Sequence, residues 1–268
     1  MKRPKLKSIC ALCAFLWGCC ALVAAQEPRN LTPVQLEIEQ QQKRLSSSDV
    51  EERRDAVMRL GTMRVAAASR AAVPALQDAA PIVRVTAARA ILSIGNEESA
   101  GLLLPLLNDK DEFVRRETVY ALGLTHSRTA TTALSDRLLN DREDGVRGAA
   151  AIALGQIADE AAVIALVGTL APELSAAANK KQKRETNVFV LRAAATALGQ
   201  IRSRSGTAAL ISTLNNEKLP SDVRREAARS LGLIGDPAAA PALKTAMTAA
   251  DPFLSQIAHA ALKKIGQN

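Results

Sequence analysis

The sequence predicts an all-α protein, an α-α superhelix of about seven helix pairs. The first reason is an apolar stripe in residues 222–235, where the apolar side chains fall on one face at the 3.6-residue period of a helix. The second is that this pattern returns along the chain at near-constant spacing. The third is that no Gly/Ser-rich or Pro-rich linker separates the recurrences, so residues 26–268 form one elongated domain.

The repeat is anchored by one buried aliphatic residue in each unit. Successive anchors are separated by 31, 31, 32, 44, 33 and 31 residues, and they are Leu60, Ile91, Leu122, Leu154, Leu198, Leu231 and Leu262. One helix pair cannot bury such a stripe by itself, so neighbouring pairs must stack. Alanine dominates the contact positions, and we expect enlarging Ala150 or Ala227 to cost about 1–3 kcal/mol through overpacking.

Each unit also carries a Val-Arg dipeptide near the helix start and an aliphatic residue followed by Gly near its end. The clearest cases are Val83-Arg84 with Ile94-Gly95, Val114-Arg115 with Leu122-Gly123, Val146-Arg147 with Leu154-Gly155, and Val223-Arg224 with Leu231-Gly232. With these motifs, roughly residues 31–268 resemble the HEAT-repeat superfamily, and within it the short HEAT-like repeats first described in phycobilisome lyases. The resemblance implies an α-solenoid whose second helices line a concave face.

Departures from this pattern are as informative as the matches. Leu191 and Ser255 stand where the Arg is expected, and Leu92 and Lys263 stand where the first Gly is expected. We expect the last unit to lack Gly because no further repeat packs closely on it.

Local signals predict where several helices begin and end. Thr32-Pro33 opens the first helix, which runs to about Leu45, and residues 46–49 make a turn ending in the N-cap Asp49. Asp222 is predicted as the N-cap of a second helix of a pair. Gly235 suits the left-handed residue that ends it, and Asp236-Pro237 then starts another helix.

Residues 1–25 have the form of a secretory signal peptide. Four basic residues precede an apolar run from about Ile9 to Ala24, and small residues precede Gln26, so we expect export with cleavage after Ala25. A lipoprotein modified at Cys19 and a retained membrane anchor are the alternatives. We therefore predict a periplasmic or secreted protein that contacts a membrane only if it is lipidated or keeps this segment.

Composition argues against catalysis. All four cysteines lie in residues 1–25, and removing that segment lowers the formal net charge from +8 to +4. The remaining chain lacks thiolate chemistry, a phosphate-binding Gly loop and a Ser-His-Asp pattern. HEAT-like deoxyhypusine hydroxylases bind iron through paired His-Glu motifs, but His126 and His259 are not followed by Glu. We predict no enzyme activity, no cofactor and no metal, with a phycobilin lyase-like enzyme as the remaining catalytic alternative.

Recurrent arginines form two sets. The first is predicted as a structural ladder, in which each Arg joins an Asp-Arg network between neighbouring turns as in the resembling family: Arg84, Arg115, Arg147 and Arg224. The second set, with one tyrosine, is predicted to line the concave face and bind a partner: Arg54, Arg89, Arg116, Tyr120, Arg192, Arg225 and Arg229. Three aromatic residues nine positions before their anchors are assigned to packing: Phe113, Phe189 and Phe253.

An insertion of 12 or 13 residues at about 174–187 explains the long spacing between Leu154 and Leu198. It is predicted to extend the preceding helix and add a mobile loop with the basic cluster Lys180, Lys181, Lys183 and Arg184.

The function favoured by these features is a non-catalytic protein-protein interaction scaffold or adaptor in the cell envelope, which binds protein partners on its concave face and is present as a monomer. The alternative is binding of an anionic polymer through the arginines and the basic loop, which would weaken steeply with salt. Among such polymers nucleic acid is the less favoured ligand for an exported protein.

Overall fold

The computed structural model describes residues 31–171 and 187–266 as a stack of seven helix pairs, with no strand in those residues. The first helices of the pairs are α1 Pro33–Arg44, α3 Ala66–Ala72, α5 Asn96–Leu103, α7 Thr131–Asn140, α9 Val163–Leu170, α11 Thr207–Asn215 and α13 Ala240–Ala246. The second helices are α2 Val50–Thr62, α4 Pro81–Ala90, α6 Glu112–Thr125, α8 Asp144–Ile157, α10 Val188–Ile201, α12 Ser221–Ile234 and α14 Pro252–Ile265. The all-α solenoid is therefore confirmed.

Capping residues set most helix starts. Thr32 forms a capping box with Gln35 at the start of α1, and Asp49 accepts the backbone N–H of Glu51 at 2.9 Å at the start of α2. The prediction for Asp222 is wrong by two positions, because α12 begins at Ser221 after the N-cap Pro220. The Asp222 carboxylate instead accepts the N–H of Val223 at 3.0 Å within the first turn.

The chain turns at the same position of the repeat after the second helix of every pair. The residue four positions after each anchor has a positive φ, as predicted for Gly235, and the seven residues are Arg64, Gly95, His126, Ala158, Arg202, Gly235 and Gly266. Four of them are not glycine, with φ between 52° and 59°. L-residues adopt this left-handed conformation at a cost of about 1 kcal/mol or more, so the turn between pairs is imposed by the stack.

The core is a continuous seam between the odd-numbered and even-numbered helices. Six of the seven anchors are fully buried, and Leu262 of the last pair is 4% exposed. Ala150 and Ala227 are also fully buried, in agreement with the close contacts from which their sensitivity to enlargement is predicted.

The even-numbered helices approach each other at backbone distance. A Cβ added to Gly123 would lie 2.9 Å from Cα of Ala153, and one added to Gly155 would lie 2.9 Å from Cα of Ala197. The same approach recurs between Gly61 and Ala90, Gly199 and Ser230, and Gly232 and Ala261. The glycine one position after the anchor thus allows a small residue of the next pair to pack directly against the helix backbone.

The two departures at this glycine position have structural counterparts. At Leu92, α4 has already ended and the chain forms a 3₁₀ turn, Ile91–Ser93. Lys263 is exposed on the last pair that the structure describes.

Two predicted segments lie outside the described residues. They are the signal peptide, residues 1–25, and the basic cluster Lys180, Lys181, Lys183 and Arg184. The preceding helix α9 ends at Leu170, where the backbone of Ala171 leaves the helical conformation. The predicted extension of this helix into the insertion is therefore wrong.

Candidate functional site

The candidate site is the exposed surface of the even-numbered helices, opposite the anchors. Helical geometry places residues nine, six, five and two positions before each anchor, and two after it, within about 60° of the direction opposite the anchor. We call this surface the inner face. Because glycines and alanines bring these helices into backbone contact, their layer is the shorter one, and we assign the inner face to the concave side of the stack.

Large apolar side chains are exposed along the inner face. Their exposed fractions range from 38% for Phe189 to 62% for Phe253, and the residues are Met58, Ile82, Phe113, Leu124, Phe189 and Phe253. The packing role predicted for the three phenylalanines is therefore wrong for Phe113 and Phe253. Nine residues are two and a half helical turns, so these side chains lie on the side away from the buried anchor. Phe189 is the intermediate case, since its ring contacts Gly148 of the preceding pair.

An arginine guanidinium stacks over the ring of two of the phenylalanines. The guanidinium of Arg116 lies 4.8 Å from the ring centroid of Phe113, and that of Arg225 lies 5.0 Å from Phe253. These are cation–π distances, and exposed pairs of this kind contribute about 0.5–1 kcal/mol. Arg225 is further fixed by two bonds of 2.7 Å to Asp251. It is thus a structural residue as well as a surface one.

The remaining arginines predicted for the concave face are paired with carboxylates. The ion pairs are Arg54 with Glu51 at 3.1 Å, Arg89 with Glu117 at 2.5 Å, Arg192 with Asp222 at 3.3 Å, and Arg229 with Glu226 at 3.3 Å. Their charges are therefore largely balanced by acidic neighbours. Tyr120 is half-buried and packs against the core, so it is less exposed than its predicted contact role requires.

The predicted arginine ladder lies on the opposite side of the even-numbered helices, beside the loops that enter them. Arg84 makes two bonds, of 2.7 and 2.9 Å, to the carboxylate of Asp109 in the next pair. Arg115 makes bonds of 2.9 and 3.0 Å to Asp141 in the same way. Each arginine also donates to backbone carbonyls of the loop before its own helix. At both residues, an Asp-Arg contact therefore links neighbouring pairs.

Sequence reasoning missed a third member of this ladder. Arg53 lies seven positions before its anchor, like Arg84 and Arg115, and bonds Asp78 at 2.7 and 2.9 Å. The sequence could have shown this, because Arg53 occupies the same repeat position as Arg84 and Arg115. It directly precedes Arg54, which was predicted for the concave face.

The other two predicted ladder residues bond differently. Arg147 donates to the carbonyl of Leu138 at 3.0 Å and pairs with Asp144 of its own helix at 3.1 Å. Arg224 donates to the carbonyl of Leu214 at 2.9 Å. Among the described residues, neither makes the two-bond contact to a carboxylate of the next pair.

The ladder shifts the acid–base behaviour of its aspartates. Burial by itself would raise the pKa of Asp141, but hydrogen bonds from Arg115 and from the N–H of Glu143 outweigh it and hold the pKa below its ordinary value. The pKa of Asp109 is lowered in the same way, with Arg84 opposing the effect of burial. These carboxylates are charged structural groups at neutral pH.

The described residues hold no cluster of three or more His, Cys, Asp or Glu side chains able to bind a metal ion. His126 bonds the carbonyl of Gln156 in the next pair through Nδ1 at 2.8 Å, and His259 lies on the last helix, α14. In the part of the chain that the structure describes, no helix has the length and apolar character needed to cross a membrane.

Comparison with protein families decides the assignment. The family model for HEAT repeats matches residues 40–123, 102–178 and 181–263. The chain belongs to the HEAT-repeat family. This confirms the resemblance drawn from the Val-Arg and Leu-Gly motifs.

Solved structures that are similar to this chain include three natural proteins. The CpcE–CpcF complex of the phycocyanin lyase from Nostoc is 27% identical, with 90% of each chain covered and a TM-score of 0.49. Human deoxyhypusine hydroxylase is 20% identical, covering 85% of this chain and 84% of that one, with a TM-score of 0.43. Escherichia coli YibA is 18% identical, covering 90% of this chain and 100% of that one, with a TM-score of 0.49. A comparison with curated proteins gives no significant match.

Proposed function

We propose that this HEAT-repeat protein is a non-catalytic scaffold or adaptor of the cell envelope that binds a protein partner on its inner face. The observation that carries the proposal is the series of exposed apolar side chains on the even-numbered helices, from Met58 in α2 to Phe253 in α14. Exposed apolar side chains that gather on one face of a protein mark a candidate interaction site.

The surroundings of these side chains suit a protein ligand. Protein interfaces combine an apolar centre with a polar rim, and they favour aromatic residues and arginine. Phe113 with Arg116 and Phe253 with Arg225 supply both kinds of group in one contact. The ion pairs between them provide hydrogen-bonding groups without a large net charge.

The charge pattern supports a protein ligand over an anionic polymer. Affinity for a polyanion comes from cations that neutralise successive phosphates or sulfates. Arg54, Arg89, Arg192 and Arg229 already have carboxylate partners, and Arg225 is bonded to Asp251. A polyanion would have to displace the acidic groups that are paired with these five arginines.

The proposal includes two expectations drawn from the sequence. The protein is exported, with a signal peptide removed after Ala25, and it performs no reaction of its own. The first is supported by the basic and apolar order of residues 1–25, and the second by the absence of cysteine after residue 20 and the presence of only two histidines in the chain.

The test is site-specific photo-crosslinking in cells that express the full-length protein. A benzophenone side chain replaces Phe113, which is 52% exposed on the inner face, and in a matched control it replaces Ile164, which is 72% exposed on α9 of the other layer. The same protein captured from position 113 and not from position 164 supports the proposal. Adducts from position 164 alone, or an equal pattern from both positions, would refute the assignment of the binding face.

A further inference from the structure

In the part of the chain that the structure describes, the inner face contains an open groove between α2 and α4, with α6 at its rim. Its volume is about 580 Å³, within the roughly 300–1,000 Å³ typical of ligand pockets. Gly61 and Ala90 form the floor, where the two helices touch at backbone distance. Met58 and Val85 form apolar walls, and Met58 is 49% exposed.

The groove is open because a covering side chain is missing at this point of the repeat. Between α6 and α8, the Oε1 atom of Gln156 lies over Gly123, and between α8 and α10 that of Gln200 lies over Gly155. Both glutamines are two positions after their anchors. The equivalent residue of α4 is Ser93, which is short and belongs to the 3₁₀ turn that follows the helix.

The rim of the groove carries an excess of positive charge. Two arginines, Arg64 and Arg89, and one acid, Glu117, line it among the described residues. Glu117 is already bonded to Arg89 at 2.5 Å, which leaves the exposed guanidinium of Arg64 as the group whose charge no carboxylate of the groove balances. An occupant that complements this groove therefore brings an apolar group and a carboxylate close together.

We propose that the groove binds a short peptide segment of the protein partner in which an aliphatic side chain is flanked by an acidic residue. The aliphatic side chain enters between Met58 and Val85 above Gly61, and the neighbouring carboxylate pairs with Arg64. This inference rests on the proposed function, since it names the chemistry of the segment that a protein-binding inner face recognises. Binding of this kind concentrates its free energy in one apolar anchor and one charged contact.

Arg64 offers a variant that separates binding from folding. Its φ is 52°, in the left-handed region that favours glycine, and the equivalent residues of the last two pairs are Gly235 and Gly266. Arg64→Gly therefore relieves backbone strain and is expected to keep or raise the Tm while removing the charge. Arg202 has φ 59° at the same position of another pair, so Arg202→Gly is a matched control.

The experiment is a selection of random twelve-residue peptides on the immobilised full-length protein, followed by fluorescence-anisotropy titration of the most enriched synthetic peptide. The expected peptides carry Leu, Ile or Met within two residues of Asp or Glu. We expect Met58→Asp to weaken binding of the selected peptide about tenfold or more, and Arg64→Gly to weaken it about three- to tenfold. The controls are Arg202→Gly and Met247→Asp, the latter at an exposed methionine beside α13 on the other layer. They are expected to leave the affinity unchanged.

Several outcomes would overturn the proposal for the groove. They are the absence of any enriched peptide, enriched peptides without the acidic-aliphatic pattern, and binding that is unaffected by Met58→Asp. If peptides bind without sensitivity to Met58 while crosslinks still form at Phe113, the inner face remains the binding surface and only its groove is wrongly assigned. If crosslinks at Phe113 are also missing, the proposed function fails with it.

Discussion

Replacing Arg115 by methionine tests whether the ladder holds neighbouring pairs together. The variant keeps an unbranched side chain as far as about the position of Nε, but it removes two bonds to Asp141 and the bonds to the carbonyls of Asp109 and Lys110. Asp141 has only 1% of its side chain exposed, so its carboxylate stays buried without its main partner. Breaking a buried ion pair from one side costs about 3–5 kcal/mol.

The surroundings of Asp141 place the expected loss near the lower end of that range, at about 3 kcal/mol. Arg137 remains 3.7 Å away, and the N–H of Glu143 still donates to the carboxylate at 3.0 Å. For a chain of this length, about 3 kcal/mol lowers the Tm by roughly 6–12 °C. Far-UV circular dichroism during thermal and urea unfolding measures both quantities.

The control is Arg54→Met, which removes the exposed pair with Glu51 and should cost under about 1 kcal/mol. A double variant, Arg115→Met with Asp141→Asn, should recover part of the loss because it also removes the buried charge. If Arg115→Met costs no more than Arg54→Met, the ladder does not stabilise the stack and the reasoning is wrong.

Three further predictions concern other features of the stack. The pKa of Asp141 is lowered in the folded protein, so its contribution to the free energy of unfolding is complete above about pH 4 and is lost as the pH falls through the folded value. Asp141→Asn should therefore flatten the acid side of a stability curve measured by urea unfolding. Gly155→Ala should lower the free energy of unfolding by about 1–3 kcal/mol, because the added methyl group clashes with Ala197. Gly101→Ala, on the open surface of α5, should raise it by about 0.5–1 kcal/mol. Equal calorimetric Tm values for the two variants would contradict this prediction. Ala158→Gly should raise the Tm by relieving φ 55°, and a lowered Tm would show that the turn is not strained.

The fold was readable from the sequence because it is local. Each pair is specified by a stripe at helical period, and the stacking surface by Gly and Ala at fixed distances from the anchor. The ladder was readable for a related reason. An arginine seven positions before one anchor bonds an aspartate thirteen positions before the next anchor, as in Arg84 with Asp109.

The same rule accounts for the exception at Arg224 and for the unit that lacks the arginine. Ala249 stands thirteen positions before the last anchor, so Arg224 has no carboxylate at that point and bonds a carbonyl instead. Where Leu191 replaces the arginine, the corresponding aspartate is also missing and Lys218 stands in its place. Both departures were visible in the sequence as a relation between neighbouring repeats.

The inner face was harder to predict because its contacts cross between helices. Arg89 meets Glu117 and Arg192 meets Asp222 only because adjacent helices are held at a particular separation and offset. The spacing of residues within one helix does not predict the separation between adjacent helices. The phenylalanines were different, since counting two and a half turns from the anchor was sufficient to place Phe113 and Phe253 outside the core.

The glycine contacts also decide in which direction the molecule can flex. Backbone atoms of Gly123 and Gly155 already meet the alanines of the next pair, so the even-numbered layer has no free space into which it can be compressed. The odd-numbered layer lacks this row of glycine contacts in the described residues. We therefore expect the even-numbered helices to move apart more easily than they move together. The stack should open to admit a partner more easily than it tightens around one.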